Sequence, residues 1–376
     1  MITALVSILI LGFLVIVHEL GHFVVARWAG VRILRLSIGF GPRVLTWTRG
    51  HTEYAISAIP LGGYVKMAGE QHAEQSHLPT APNATQAGAV QAGEPWEYLS
   101  KSISKRAGIV FAGPFVNYLV AFISLWAVFV IGYPELLPVV GKVMSGMPAQ
   151  AAGFQPGDRI RAIDRHPVPT WEEMTKFIYD APNRPLVFHI ERHGLRQTLT
   201  VTPAPKLMPD PLGRPKTVGL IGISASGEFQ SYRVGPVTAV VKTVKQQLEF
   251  IGQTLLGLFL MATGKLSMRE SVTGPIGIIS VISEGMRLGL APFLSRISLL
   301  SLSLAFFNLF PIPILDGGHL FFLCIEKLRG TPVSINVQER SAQVSLVLLV
   351  ALILMVCAND VSRFGIVDKV VGWVHR

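Results

Sequence analysis

His18-Glu19-Leu20-Gly21-His22 lies inside an apolar run from Ile2 to Ala26, and this stretch determines how the rest of the chain is interpreted. As a helix the run is about 37 Å long, enough to cross a hydrocarbon core of roughly 30 Å. The two imidazoles stack one turn apart, and the glutamate lies beside them on the same face. An acidic side chain at mid-membrane costs roughly 2.5–3.5 kcal/mol. The stretch therefore predicts a bound divalent cation, with His18 and His22 as ligands and Glu19 as a base.

The composition favours a polytopic membrane protein, because 50% of the residues are hydrophobic and only 15% are charged. Lys and Arg (33) outnumber Asp and Glu (23), but they are scattered through the segments between apolar runs. That distribution is typical of membrane topology rather than of nucleic-acid binding, so we expect a lipid bilayer and no nucleic acid as partners. Cys324 and Cys357 form no CxxC motif, so a metal must use histidine and carboxylate ligands.

Four apolar runs predict a polytopic α-helical core of about four transmembrane helices, at 1–26, 107–132, 290–316 and 341–358. Met1-Ile2-Thr3 lacks the positive start of a signal peptide, so the first run is interpreted as a retained span. Lys and Arg residues flank the second and third runs. The positive-inside rule then places 27–106 and 317–340 in the cytoplasm and 133–289 on the other side. This topology puts the two cysteines on opposite sides of the membrane, where they do not pair.

The third metal ligand is predicted to be Asp316, in Asn308-Leu309-Phe310-Pro311-Ile312-Pro313-Ile314-Leu315-Asp316-Gly317-Gly318-His319. A catalytic zinc site normally has three protein ligands. Two prolines break the helix here and two glycines let other backbone approach. Irregular backbone at membrane depth lines a cavity rather than lipid.

The remaining segments have other patterns. In the range 27–71 apolar and polar residues alternate and glycines interrupt the pattern, which predicts a membrane-associated β-hairpin. The range 72–100 is predicted to be a disordered loop, because it is rich in Ala, Gln, Pro and Gly without a period. The range 137–230 predicts a small domain of strands and short helices, an α+β barrel. The range 231–289 predicts amphipathic interfacial helices, and 359–376 a C-terminal tail.

Two resemblances follow from motifs. The phrase from Gly146 to Ile160, with Pro156-Gly157-Asp158, resembles a bacterial PDZ domain. The chain as a whole resembles the site-2 protease family, peptidase family M50, in its regulator-of-sigma-E protease branch. The resemblance rests on HExxH in the first span, NxxPxPxLDG in a later span and a PDZ domain between them. Phe111 to Asn117 is similar to that family's GxxxN element, and Pro60 to Val65 to its membrane-reentrant hairpin. Members of the branch carry tandem PDZ domains, whereas 137–230 has room for one.

The family resemblance implies an intramembrane zinc metalloendopeptidase with one Zn²⁺ per chain, bound by His18, His22 and Asp316. Glu19 would activate water and return the proton to the leaving amine. Asn308 and Asn117 are candidates to hydrogen-bond the substrate backbone or the oxyanion, the alternative for each being a helix-to-helix hydrogen bond. Gly62, Gly63, Tyr64 and Val65 are candidates to hold an unwound substrate by strand addition, the alternative being an ordinary cytoplasmic hairpin.

The PDZ resemblance implies a peptide groove lined by Val139, Val140 and Gly141, or a domain that excludes bulky substrates by size. The expected location is the bacterial inner membrane, with a periplasmic PDZ domain and an active site toward the cytoplasmic side. Expected substrates are single-pass membrane proteins, either anti-sigma factors or signal-peptide remnants processed by regulated intramembrane proteolysis.

Two other functions fit parts of the pattern. A membrane transporter of metal ions or protons also places histidines and acids inside the bilayer, but it needs no base beside the metal and no peptide-binding domain. A membrane-anchored PDZ adaptor needs no chemistry, and it leaves Glu19 and Asp316 unexplained.

Overall fold

A computed structural model describes residues 2–69, 94–209, 215–267 and 272–363. The chain forms two compact units. The membrane unit consists of Met1–Leu125 and Arg269–Arg376, and the inserted unit is Trp126–Met268. Most of the predicted loop 72–100 and of the predicted tail 359–376 lies outside the described residues.

The elements follow in chain order. The helices are α1 (Ile2–Trp28), α2 (Ile103–Ile131), α3 (Pro148–Ala151), α4 (Trp171–Tyr179), α5 (Pro236–Ala262), α6 (Pro275–Leu288), α7 (Leu290–Asn308), α8 (Asp316–Arg329) and α9 (Ile335–Arg363). The strands are β1 (Ile33–Arg49), β2 (Thr52–Met67), β3 (Tyr133–Leu136), β4 (Val140–Val143), β5 (Arg159–Ile163), β6 (His166–Pro167), β7 (Leu186–Arg192), β8 (Leu195–Val201), β9 (Ala204–Pro209), β10 (Pro215–Leu220), β11 (Ile223–Ala225) and β12 (Phe229–Tyr232).

Four helices of the described chain are long and apolar enough to cross a membrane, which confirms the predicted number of spans. They cover Leu5–Trp28, Ile103–Ile131, Leu290–Asn308 and Ile335–Ser362. The third ends at Asn308 rather than at the predicted residue 316. Proline lacks the amide hydrogen that a helix needs, and Pro311 and Pro313 follow within five residues, so the chain is irregular until α8 begins at Asp316.

Helices α1, α2 and α7 of the membrane unit are joined by close backbone contacts and buried hydroxyls. A Cβ placed on Gly21 of α1 would lie 2.5 Å from the Ala112 carbonyl oxygen of α2, so the two backbones are nearly in contact there. From α7, the Ser298 and Ser301 hydroxyls each donate a 2.7 Å hydrogen bond, to the carbonyl oxygens of Ala121 and Asn117 in α2. Small and hydroxylated residues are the usual means of packing helices in lipid.

The predicted β-hairpin is present in the membrane unit, and it is doubled back on itself. Residues 35–38 of β1 pair with 53–56 of β2 along one edge and with 63–66 along the other, while 43–49 pair with 52–57. Gly39, Gly41 and Gly62 have positive φ angles of 90°, 85° and 104°, which allow the strands to bend. The last part of β2, residues 63–67, is consequently an edge segment of this small sheet, and β2 packs against α1.

Two carboxylates, one fully and one mostly buried, connect helices of the membrane unit. Asp360 of α9 is fully buried and accepts hydrogen bonds from the amides of Gly274, Ile276 and Gly277, so it caps the N-terminus of α6. At the start of α2, Arg106 donates two hydrogen bonds to the Glu326 carboxylate of α8. These contacts hold α6 and α8, whose positions nothing in the local sequence specifies.

The inserted unit contains a four-stranded antiparallel sheet in the order β6-β5-β7-β8, and the pairs β4–β11, β9–β10 and β3–β12. Side-chain burial alternates along β7, because Leu186, Phe188 and Ile190 point into the core and the residues between them do not. Met174 and Ile178 of α4 complete the same core. Helix α4 begins at Thr170, whose side chain accepts from the Glu173 amide.

Helix α5 of the inserted unit is a single helix of 27 residues. Large apolar side chains along it are exposed, namely Val237, Val241, Leu248, Leu255 and Phe259. It is not among the four spanning helices. Its assignment to the membrane surface stays a prediction.

Candidate metal centre

Three potential ligand atoms converge in the membrane unit, from the middle of α1 and the first residue of α8. His18 Nε2 lies 3.1 Å from His22 Nε2, and Asp316 Oδ2 lies 3.0 Å and 3.5 Å from the two. Both histidines are buried, and Asp316 is mostly buried. Among the described residues this is the one group of three or more His, Cys, Asp or Glu arranged to hold a metal. The structure thus brings together the three predicted ligands.

The three separations, 3.0, 3.1 and 3.5 Å, lie within about 0.3 Å of those around a zinc ion. Ligand atoms 2.0–2.2 Å from a tetrahedral zinc are about 3.3–3.6 Å apart. Asp316 Oδ2 is buried and has no hydrogen-bond partner, although it lies 3.0 Å from His18 Nε2. A buried carboxylate oxygen without a donor is costly unless a cation neutralises it. His22 Nδ1 donates to the Ile109 carbonyl oxygen at 2.8 Å, which leaves the Nε2 lone pair free to bind metal.

Glu19 lies beside these ligands and in contact with the hairpin. Its carboxylate accepts a hydrogen bond from the Val65 backbone amide of β2. A Cβ placed on Gly63 would lie 3.7 Å from Glu19 Cγ and 2.5 Å from the Ser37 carbonyl oxygen. The approach to β1 requires a glycine at position 63, whereas the distance to Glu19 is an ordinary contact. The predicted base therefore faces the edge segment 63–67.

Helix α2 forms the wall opposite the two histidines. A Cβ on Gly113 would overlap His22 Nε2, and it would lie 2.6 Å from His22 Cε1 and 2.8 Å from His18 Cε1. Pro114 follows directly within the helix and removes one helical hydrogen bond. The imidazoles therefore fill the space that a side chain at position 113 would take.

The two predicted asparagines are placed differently. Asn117 of α2 is buried, and its amide nitrogen lies 3.4 Å from His18 Nδ1, while its Oδ1 has no partner. Asn308 ends α7 and is half-buried, and its side chain makes no hydrogen bond within the described ranges. The structure brings Asn117 to His18, and among the described residues no hydrogen bond joins the Asn308 side chain to His18, His22 or Asp316.

The hairpin residues are placed as follows. Gly62 packs its α-carbon against the Phe40 ring, Tyr64 stacks on Phe40 and accepts a hydrogen bond from Arg35, and Gly63 and Val65 contact Glu19. Between β1 and β2, the Arg35 guanidinium holds the pKa of Glu53 below its ordinary value through a hydrogen bond.

The structure corrects the predicted peptide groove. The side chains of Val139 and Val140 are 4% and 0% exposed, so they belong to the core of the inserted unit. The backbone there is also occupied on both sides. On one side, the Val140 backbone forms hydrogen bonds with the backbones of Gly157 and Asp158. On the other side, strand β4, which contains Gly141, pairs with β11. These three residues cannot line an open groove. β11 pairs only with β4 among the described strands.

Sequence reasoning missed the backbone groups that hydrogen-bond to His22 and Glu19. The Ile109 carbonyl oxygen and the Val65 amide are backbone atoms, and backbone atoms leave no signal in residue identity. Gly113 had a signal, since it is the glycine of the GxxxN element, but only the structure shows that it makes room for two imidazoles.

Comparison with known proteins identifies the family of the chain. The model of "Peptidase family M50" matches residues 6–352 of the chain. The chain belongs to peptidase family M50. A Rhizobium meliloti (strain 1021) protein named as a zinc metalloprotease is 36% identical over 360 residues, which cover 94% of each chain. A Brucella suis protein named in the same way is 33% identical over 364 residues, covering 95% of this chain and 94% of the relative.

The regulator of sigma-E protease RseP of Salmonella typhimurium is 31% identical, covering 95% of this chain and 97% of the relative. That alignment runs over 458 positions, more than the 376 residues of this chain, so the Salmonella protein contains segments that the chain lacks. As an M50 peptidase the chain is a zinc metalloprotease with several membrane spans, which confirms the predicted family, enzyme class and cofactor.

Proposed function

We propose that this M50 peptidase hydrolyses peptide bonds inside the transmembrane segments of single-pass membrane proteins. One observation carries the proposal. The ligands His18 and His22 and the acid Glu19 lie within the apolar span Leu5–Trp28, at a depth that a soluble peptide does not reach. A protease built at this depth acts on a substrate that is itself in the bilayer.

In this proposal each residue has a distinct chemical task. His18, His22 and Asp316 hold the zinc, which supplies Lewis acidity by lowering the pKa of water and polarising a carbonyl. Glu19 accepts a proton from the attacking water and delivers it to the amine nitrogen as the C–N bond breaks. The Val65 amide orients the Glu19 carboxylate for both transfers.

A substrate helix must unwind before it is cut, because its carbonyl groups are hydrogen-bonded within the helix. The edge segment 63–67 of β2 is a suitable template for the unwound strand, which would pair with it by main-chain hydrogen bonds. Gly63 and Val65 contact Glu19, so a strand added there passes the base. The predicted binding residues Gly62, Gly63, Tyr64 and Val65 keep this role in the proposal, and Asn308 remains a candidate to contact substrate.

The topology sets the depth of the cut. His22 lies six residues before the end of the span at Trp28, and a segment rich in arginine follows. The positive-inside rule assigns that end to the cytoplasm. We therefore place the scissile bond in the inner half of the bacterial inner membrane, and the inserted unit in the periplasm.

The inserted unit is proposed to act as a single PDZ domain. The supporting features are the phrase Gly146 to Ile160 and β11, which has one strand neighbour among the described residues and replaces Val139 to Gly141 as the candidate binding strand. It admits an extended substrate terminus or excludes bulky uncut proteins. The Salmonella relative is named for its action on sigma-E regulation. We accordingly propose anti-sigma factors and signal-peptide remnants as substrate classes.

The proposal is tested by replacing Glu19 with Gln in the full-length protein and supplying a single-span substrate in proteoliposomes. The variant is expected to retain zinc and its thermal stability but to lose cleavage. Glu249→Gln, at an exposed position on α5, is the matched control and should cleave normally. Mass spectrometry of the products locates the cut. Cleavage that survives in Glu19→Gln, or cuts found only outside the span, would refute the proposal, and zinc flux without cleavage would favour a transporter.

A further inference from the structure

The side-chain amide of Asn117 faces His18. Of its two possible orientations, only one is compatible with metal binding by His18 Nε2. Asn117 is 1% exposed, and its side-chain nitrogen lies 3.4 Å from His18 Nδ1. In this orientation an N–H of the amide donates to Nδ1, so the imidazole proton must be on Nε2. His18 Nε2 is the atom directed at His22 Nε2 and Asp316 Oδ2, and a protonated nitrogen cannot bind zinc.

A rotation of the amide by 180° removes the conflict, because it exchanges oxygen and nitrogen with little other change. Oδ1, which is otherwise buried without a partner, then accepts a hydrogen bond from His18 Nδ1–H. The lone pair of Nε2 becomes free for the metal. The amide hydrogens move to the former position of Oδ1 and stay available for a further partner.

His22 shows the arrangement that the rotated amide would give His18, with Nδ1 as the donor. Its Nδ1 donates to the Ile109 carbonyl oxygen at 2.8 Å. Ile109, Gly113 and Asn117 are spaced four residues apart on α2, so they form one stripe facing the two histidines. In this stripe Ile109 fixes one imidazole, Gly113 leaves space for both rings, and Asn117 is opposite the other imidazole. The backbone at Asn117 is itself anchored, because its carbonyl oxygen accepts from the buried Ser301 hydroxyl at 2.7 Å.

We propose that Asn117 is a positioning residue for the zinc site, accepting a hydrogen bond from His18 Nδ1–H and so fixing the tautomer in which His18 Nε2 binds the metal. This role replaces its predicted contact with substrate. It concerns the zinc site alone and holds whatever the substrate is.

The test measures zinc affinity of the full-length protein in detergent by competition with a chelator, together with the visible spectrum of the cobalt-substituted protein. Asn117→Leu keeps the approximate size but has no acceptor, and it should weaken zinc binding by roughly 10–100-fold, the usual effect of losing an outer-shell partner. Asn117→Asp keeps an oxygen acceptor and should bind within about threefold of wild type. Ser298→Ala is the control, since it removes a hydrogen bond between α7 and α2 without touching a histidine.

Retained affinity in Asn117→Asp together with weak binding in Asn117→Leu supports the proposal. Equal losses in Asn117→Leu and Ser298→Ala would show that Asn117 only joins helices, and equal losses in Leu and Asp variants would show that the amide nitrogen matters instead. Either result overturns the assignment. If Asn117→Asp does not fold, the cobalt spectra of Asn117→Leu and Ser298→Ala decide, because a changed His18 ligand alters the spectrum and a lost helix contact does not.

Discussion

Adding one methyl group at Gly113 should disrupt the metal centre. The new Cβ of Gly113→Ala would overlap His22 Nε2 and lie 2.6 Å from His22 Cε1, whereas ordinary contact begins at 3.4 Å. The ring must therefore retreat by about 0.8 Å, because carbon atoms repel steeply inside their contact distance. Zinc ligands tolerate deviations of only about 0.2 Å. We expect zinc affinity to fall by at least the roughly 10–100-fold that follows loss of an outer-shell partner.

The assay is zinc retention against a graded series of chelators, with thermal unfolding of the same samples. Gly108→Ala is the matched control, because it lies on the same helix and a Cβ there has nothing within 4 Å. It should leave zinc binding unchanged and stabilise the helix slightly, since alanine is favoured over glycine by about 1 kcal/mol. Wild-type zinc affinity in Gly113→Ala would show that the histidines do not occupy the space we assign to them.

Three further experiments test other contacts. Asp316→Asn keeps the size of the ligand but removes its charge, and equilibrium dialysis should show zinc affinity reduced by more than roughly 10–100-fold; unchanged affinity would exclude Asp316 as a ligand. Arg106→Met leaves the mostly buried Glu326 without its partner and should destabilise the fold by about 3–5 kcal/mol. Replacing Glu326 by Leu as well should restore most of the melting temperature, and a double variant no better than the single one would contradict this. The hydrogen bond from Arg35 lowers the pKa of Glu53. The ion pair therefore stabilises the hairpin fully at pH values above about 4.3, the ordinary glutamate pKa, and this stabilisation is lost as the pH falls through the lowered pKa. Hydrogen exchange in the hairpin should therefore differ between wild type and Glu53→Gln at neutral pH and converge in acid, and a difference that persists in acid would refute the assignment.

The convergence of His18, His22 and Asp316 was predictable because each has a residue-level signature. HExxH fixes the relative placement of His18, Glu19 and His22 on any helix, so no tertiary information is needed. Asp316 was found by a physical argument, since an acid in a proline-broken segment of an apolar region needs a partner. The four spans were likewise predictable, because hydrophobic length depends on local sequence only.

The groove was mispredicted because a free strand edge is a property of the whole sheet. Val139 to Gly141 had the composition of a strand, but which edge stays open depends on where β11 pairs, some eighty residues later in the chain. Asn117 illustrates the same limit, because its sequence context gave no means of choosing between substrate, helix contact and histidine as its partner.

The near-contact between Gly21 and Ala112 has a genetic consequence. Every missense change in the codon for residue 21 adds at least a β-carbon, and that atom has only 2.5 Å to the Ala112 oxygen and 3.0 Å to Val116 Cγ2. Its neighbour Leu20 is 39% exposed and has room for other side chains. In a saturation library, position 21 should therefore be as depleted of variants as the two histidines, although it binds nothing and does no chemistry.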